Sequence, residues 1–263
     1  MTGPLLDPDE PRPVDLTNEA GGSVFLIACD HGGRAIPRRL DRLGLAEPDT
    51  FRHIAWDIGA AAVGKRLCAQ LDAALVVQTY SRLVIDCNRD PSVPSSIVEI
   101  SEDTEIPGNR GLGEADRLAR RDAIFRPYQD RIAALLDRRA DQGRASALVA
   151  LHSFTPIFKG VSRPWHAGIL FNRDARLARP LLELLRAEDG LAVGENEPYR
   201  VTDLTDYTVP VHGERRGLPH VEIEIRQDLI ADPAGQAVWA ERLARLLPAA
   251  YAAFQRQALD VNR

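Results

Sequence analysis

No stretch of this sequence approaches the roughly 20 consecutive apolar residues needed to span a bilayer, so a membrane partner is not expected. It has no excess of positive charge either. Its 33 Lys and Arg stand against 38 Asp and Glu, a formal net charge of -5. The arginines are scattered among acids, so there is no basic field for nucleic acid. The first 20 residues are rich in Pro, Asp and Glu and lack the basic-then-apolar order of a secretory signal. Three cysteines, Cys29, Cys68 and Cys87, are odd in number and widely spaced, which excludes a disulfide framework. They read as buried thiols of a protein in a reducing compartment, the cytoplasm. No internal repeat is present.

What is there suits one sizeable globular unit. The 263 residues are 44% hydrophobic and 27% charged, ordinary values for a soluble globular protein. Residues 1–20 read as a loose leader and 21–263 as a single α/β domain. Apolar runs at 24–29 and 147–151 have no helical period and read as strands buried on both faces, the mark of a parallel sheet. Short β-rich runs follow at 75–78, 83–87, 166–171 and 221–225. Helical spacing predicts helices over 51–71, 114–142 (divided at Pro127), 174–188 and 233–257. A long connection rich in Pro, Ser and Gly covers 92–113. Strands alternating with helices imply a three-layer sandwich around a mixed, mostly parallel sheet.

Two of the buried strands end in histidine, at Asp30-His31-Gly32-Gly33 and at Leu151-His152. Parallel strands deliver their carboxyl ends to one edge of the sheet, so the two imidazoles are expected to converge there. Two histidines need a third ligand to make a catalytic zinc site. His53 and Asp57, four apart on the predicted helix, share a face, and either offers one. On the last strand, alternation puts Val221, Ile223 and Ile225 on one face and Glu222, Glu224 and Arg226 on the other. Glu224 lies nearer the carboxyl end and is the candidate general base. Arg82, Asn88 and Arg89, after another strand, are candidates to grip a carboxylate. Arg226, and the loop residues Tyr199 and Arg163, join them as substrate-binding candidates.

Taken together, Asp30-His31-Gly32-Gly33, Ser81-Arg82-Leu83-Val84-Ile85-Asp86-Cys87-Asn88-Arg89, His152-Ser153-Phe154, Asn196-Glu197-Pro198-Tyr199 and Glu224-Ile225-Arg226 resemble the N-formylglutamate amidohydrolase family in residues and in order. The resemblance runs from about Val24 to Ile230. It implies a zinc-exopeptidase-like fold and hydrolysis of N-formyl-L-glutamate to formate and glutamate. The wider zinc carboxypeptidase and aspartoacylase group is similar in layout, with a His-x-x-Glu pair and a later His on zinc, an Asn-Arg pair on the substrate carboxylate and a late glutamate as base. His31, His152, Asn88, Arg89 and Glu224 match in order. Arg34 stands where that group has its ligand glutamate, so the middle ligand must come from elsewhere, Asp57 before His53.

The resulting expectation is a metal-dependent amidohydrolase. His31, Asp57 and His152 hold zinc, Glu224 moves the proton, and Arg82, Asn88, Arg89, Arg226, Tyr199 and Arg163 contact a small N-acyl amino acid. The alternatives are an amidase or peptidase for another N-acyl amino acid or short peptide, and a non-catalytic binder of small anions. A nucleophilic hydrolase using Ser153 or Cys29 is disfavoured, because neither sits in a nucleophile-elbow pattern.

Overall fold

The computed structural model describes residues 3–261. In chain order its strands are β1 (Val14–Thr17), β2 (Phe25–Cys29), β3 (Ala74–Gln78), β4 (Ile100–Ser101), β5 (Thr104–Glu105), β6 (Ala147–Phe154), β7 (Ile157–Phe158), β8 (Val161–Ser162), β9 (Ala167–Leu170), β10 (Val193–Glu195) and β11 (His220–Arg226). Seven of them form one sheet in the order β1-β3-β2-β6-β11-β9-β10. The central four, β3, β2, β6 and β11, are mutually parallel. β1 joins antiparallel to β3, and β9 antiparallel to β11. The fold is therefore mixed α/β with a mostly parallel sheet. Two short hairpins, β4–β5 and β7–β8, stand apart from it.

Alternation along the strands supplies two cores. Phe25, Ile27 and Cys29 of β2 face one side, with Leu75, Val149, Leu151, Ile223 and Ile225. Helices α1 (Ala60–Leu71), α4 (Ala178–Arg186) and α5 (Pro233–Val261) pack there. Leu181 and Leu185 of α4 are fully buried, each contributing about 1.5–3 kcal/mol by leaving water. Leu26 and Ala28 face the other side, with Val76 and Leu148. Helix α3 (Arg126–Asp141) covers that face, preceded by α2 (Glu114–Arg120). The two are joined by a π-turn, Arg121–Phe125, and Pro127 lies in the first turn of α3. Proline lacks the N–H for a regular helical bond, and the wider turn lets the helix continue.

Several expectations change. Residues 14–17, read as part of a loose leader, form the edge strand β1, registered with Leu75–Gln78. The helix expected over 51–71 begins only at Ala60, so His53 and Asp57 lie in irregular chain before it. Gly59 at its start has φ +82°, a conformation that suits glycine. Residues 83–87, read as β-rich, are buried but not a strand. Their carbonyls turn inward instead. Asn109 Nδ2 donates to Leu83 O at 2.9 Å, and the buried Arg120 donates to Val84 O, Asn109 Oδ1 and Gly108 O at 2.9, 2.6 and 3.0 Å. Neither Gly32 nor Gly33 has positive φ. A Cβ at Gly33 would collide with the Thr79 backbone, so glycine is needed there for close approach rather than for a special turn. No helix among the described residues is long and apolar enough to cross a membrane.

Candidate active site

The carboxyl ends of β2 and β6 bring Asp30, His31 and His152 to one rim of the sheet. Asp57 reaches them because its N–H donates to the His31 carbonyl at 2.9 Å. One side-chain donor atom from each of His31, Asp57 and His152 lies within 4.8 Å of the others, and all three residues are buried. Asp57 Oδ2 is 3.4 Å from His31 Nδ1 and 2.8 Å from His152 Nδ1. The far nitrogen of each ring faces another carboxylate: His31 Nε2 lies 2.7 Å from Asp86 Oδ1, and His152 Nε2 lies 3.1 Å from Asp30 Oδ2. Those carboxylates are fixed in turn. Thr208 Oγ1 donates to Asp30 Oδ1 at 2.6 Å, and Arg82 Nη2 donates to Asp86 Oδ2 at 2.7 Å. Each imidazole thus gives one nitrogen to an orienting acid and turns Nδ1 toward the shared centre.

Burial opposes charge throughout this cluster, but the partners prevail. His152 is raised well above the ordinary histidine value by Asp30 and Asp57, against its own desolvation. His31 is raised by Asp86 and Asp57, against burial and Arg82. Burial raises Asp86, yet Arg82, His31 and Arg89 hold it well below the carboxylate range. Asp57 is lowered in the same way by His31 and His152.

Parallel pairing of β6 and β11 sets Glu222 beside Ala150 and Glu224 beside His152. The two glutamates therefore share the face that carries His152. Both are buried, and Oε2 of each has no hydrogen-bond partner. Burial pushes Glu224 up to about 7, partly offset by His152, and pushes Glu222 well above its usual value, with Asp206 adding repulsion. They line a cavity of about 530 Å³ that also exposes His31, Asp57, His152, Arg82 and Asp86. The hairpins β4–β5 and β7–β8 and residues 199–206 contribute to its walls.

The other nominated residues divide. Arg82, Asn88, Arg89 and Tyr199 line the cavity. Asn88 also braces a loop: Oδ1 accepts Tyr207 N–H and Thr208 N–H at 2.9 and 3.0 Å, and Nδ2 donates one of its two N–H groups to Asp206 at 3.1 Å. Arg226 lies outside the cavity lining, bonded to Asp228 at 2.8 and 3.2 Å, because β11 ends there and its side chain turns to the following residues. Arg163 is held against Tyr199, donating to its hydroxyl at 2.8 Å. His53 stands outside the His31–Asp57–His152 group, with Nε2 3.2 Å from Glu102. Asp30, Lys159, Arg200 and Asp206 belong to the site or its rim and were not nominated from sequence. For Asp30 the signal was its place beside His31 at a strand end; the others are loop residues with no local pattern.

The sequence model of the N-formylglutamate amidohydrolase family matches residues 23–231. A gene product of Agrobacterium tumefaciens, known from its crystal structure, is 38% identical with a TM-score of 0.92, over 95% of this chain and 99% of that one. N-formylglutamate amidohydrolase from Ralstonia eutropha JMP134 has the same fold, at a TM-score of 0.71 and 18% identity, over 92% of this chain and 98% of that one. No curated protein sequence matches the chain.

Proposed function

The chain belongs to the N-formylglutamate amidohydrolase family, and from that premise we propose a zinc-dependent enzyme that hydrolyses the acyl C–N bond of an N-acyl acidic amino acid, foremost N-formyl-L-glutamate to formate and L-glutamate. The observation that carries this reading is the convergence of His31, Asp57 and His152 within 4.8 Å, beside Glu224, whose Oε2 is buried without a hydrogen-bond partner.

The donor set fits a divalent ion. Two imidazole nitrogens and one carboxylate oxygen suit zinc, with room for water as the fourth ligand. His31 Nδ1 is buried without a hydrogen-bond partner, and both rings are oriented by second carboxylates, as metal-binding histidines are. His31, Asp57 and His152 would hold the ion. When bound, zinc polarises the acyl carbonyl and lowers the pKa of a bound water from 15.7 to about 7.

The chain's own residues do the rest. Glu224, with a pKa near 7, accepts a proton from the attacking water and returns it to the departing nitrogen. Arg82, fixed by Asp86, directs its remaining donors at the oxygen that gains charge. Asp30 and Asp86 keep the imidazoles in place. The three free, buried thiols agree with a cytoplasmic enzyme of small molecules.

Metal analysis joined to a panel of N-acyl amino acids tests the proposal. We expect about one equivalent of zinc, and hydrolysis that chelation removes and zinc restores. Undiminished turnover in metal-stripped protein would sink it. Tight carboxylate binding with no metal and no turnover would instead mark a non-catalytic anion binder. The cavity falls in the range that accepts drug-sized ligands, which keeps a larger N-acyl amino acid or short peptide as the second reading.

A further inference from the structure

An enzyme for acidic N-acyl amino acids needs cations for the substrate's carboxylates, and this inference rests on that reading. The arginines nominated from sequence near the motifs already have acids of their own. Arg82 lies 2.7 Å from Asp86 and 3.7 Å from Asp57. Arg89 lies 3.7 Å from Asp206, and Arg226 is bonded to Asp228. A guanidinium already facing a fixed carboxylate attracts a second one weakly, because the two anions repel each other.

One wall differs. Hairpin β7–β8 and the loop around Tyr199 carry Lys159, Arg163 and Arg200. Lys159 and Arg200 line the cavity and are exposed. None of the three makes an ion pair with a carboxylate among the described residues. Arg163 is only 9% exposed. Its guanidinium carbon lies 4.6 Å from the Phe158 ring centre, 4.7 Å from that of Tyr199 and 5.8 Å from that of Phe154. Aromatic faces stabilise a cation without cancelling its charge. Apart from the bond from Nη1 to the Tyr199 hydroxyl, its donors have no described acceptor. Arg163 itself stands outside the cavity lining, behind these three rings, all of which line the cavity that holds Glu224.

We propose that Lys159 and Arg200, with the Tyr199 hydroxyl that Arg163 holds from behind, form an anion-recognition subsite that takes a carboxylate of the substrate and selects acidic amino acids over neutral ones. Arg163 donates to the Tyr199 hydroxyl, which leaves that hydroxyl's own proton for the carboxylate. Lys159 and Arg200 supply charge at the mouth, where it draws the anion in.

Calorimetric titration of glutarate and glutaramide into the full chain tests the subsite without relying on turnover. The unsubstituted protein binds the dicarboxylate about tenfold or more tightly than the diamide, as charged hydrogen bonds predict. The double variant Lys159→Ser/Arg200→Ser, altered at two exposed positions, and Arg163→Met each lose most of that preference. In hydrolysis, the ratio of kcat/KM for N-formylglutamate to that for N-formylglutamine falls about tenfold in both variants, through KM. If Arg163→Met does not fold, the double variant alone decides. An unchanged preference for glutarate in the double variant, or none in the unsubstituted protein, overturns the subsite. Glutarate selectivity without cleavage of any N-acyl amino acid keeps the subsite and removes the hydrolase reading; cleavage without selectivity does the reverse.

Discussion

Glu224 is a buried acid whose Oε2 has no hydrogen-bond partner among the described residues, and that burial raises its pKa. Glu224→Gln should lower kcat by about 100-fold or more with little change in KM; steady-state kinetics that return a near-normal kcat remove it from the proton path. Asp30 and Asp86 act one step further out. Asp30→Asn and Asp86→Asn should each weaken zinc binding by about 10–100-fold, read by competition with a chromophoric chelator. Equal affinities in variant and parent would show that the rings need no orienting acid. The grouping of His31, Asp57 and His152 was legible in the sequence because buried strands of a parallel sheet end at a common rim. The contacts of Asn88 and Arg226 were not. An amide and a guanidinium read alike whether they face a ligand or brace a loop, and only coordinates show that Tyr207 and Thr208 N–H occupy Asn88 Oδ1.

At the scale of elements, strands buried on both faces were plain from their unbroken apolar runs. The edge strands β1 and β10 were not, being short, partly exposed and without such a run. The start of α1 was set too early because apolar residues around His53 mimic helical spacing. They are buried by tertiary packing in irregular chain instead: Ile54 and Ala55 sit in the core beneath the cavity. The loops over the site are the least legible part, since single long-range contacts hold them. Arg120 is the main one. Arg120→Met would leave the Val84 and Gly108 carbonyls and Asn109 Oδ1 without that donor. We expect a loss of about 3 kcal/mol or more, with faster amide exchange in the segment from 83 to 109. Unaltered exchange there would mean that the loop is fixed by other contacts.

For the molecule as a whole, the buried acids make stability depend on pH and on metal. Glu224 has its pKa raised from 4.5 to about 7 in the folded chain. Between those values the folded state binds more protons than the unfolded state, so stability falls as pH rises across that window. The shift corresponds to about 3 kcal/mol. Asp86 runs the other way: its contribution is present above 3.8 and is lost as pH falls through its lower folded value. Metal-free protein should therefore be less stable at pH 7.5 than near pH 5. A bound cation favours the ionised carboxylate and should flatten that slope. Urea titrations with and without zinc check this, and identical slopes would contradict it. Zinc uptake should also release protons, because the carboxylates around His31 and His152 raise both above the ordinary histidine value without it.

One feature of the sheet reaches beyond chemistry. Strand β11 comes after every other sheet strand in the chain, yet it sits inside the sheet between β6 and β9. A ribosome must finish it before that slot can close, so the growing chain waits with two open edges and without Glu224. Translation that stops short yields no partial catalyst, only a split sheet ready for proteolysis.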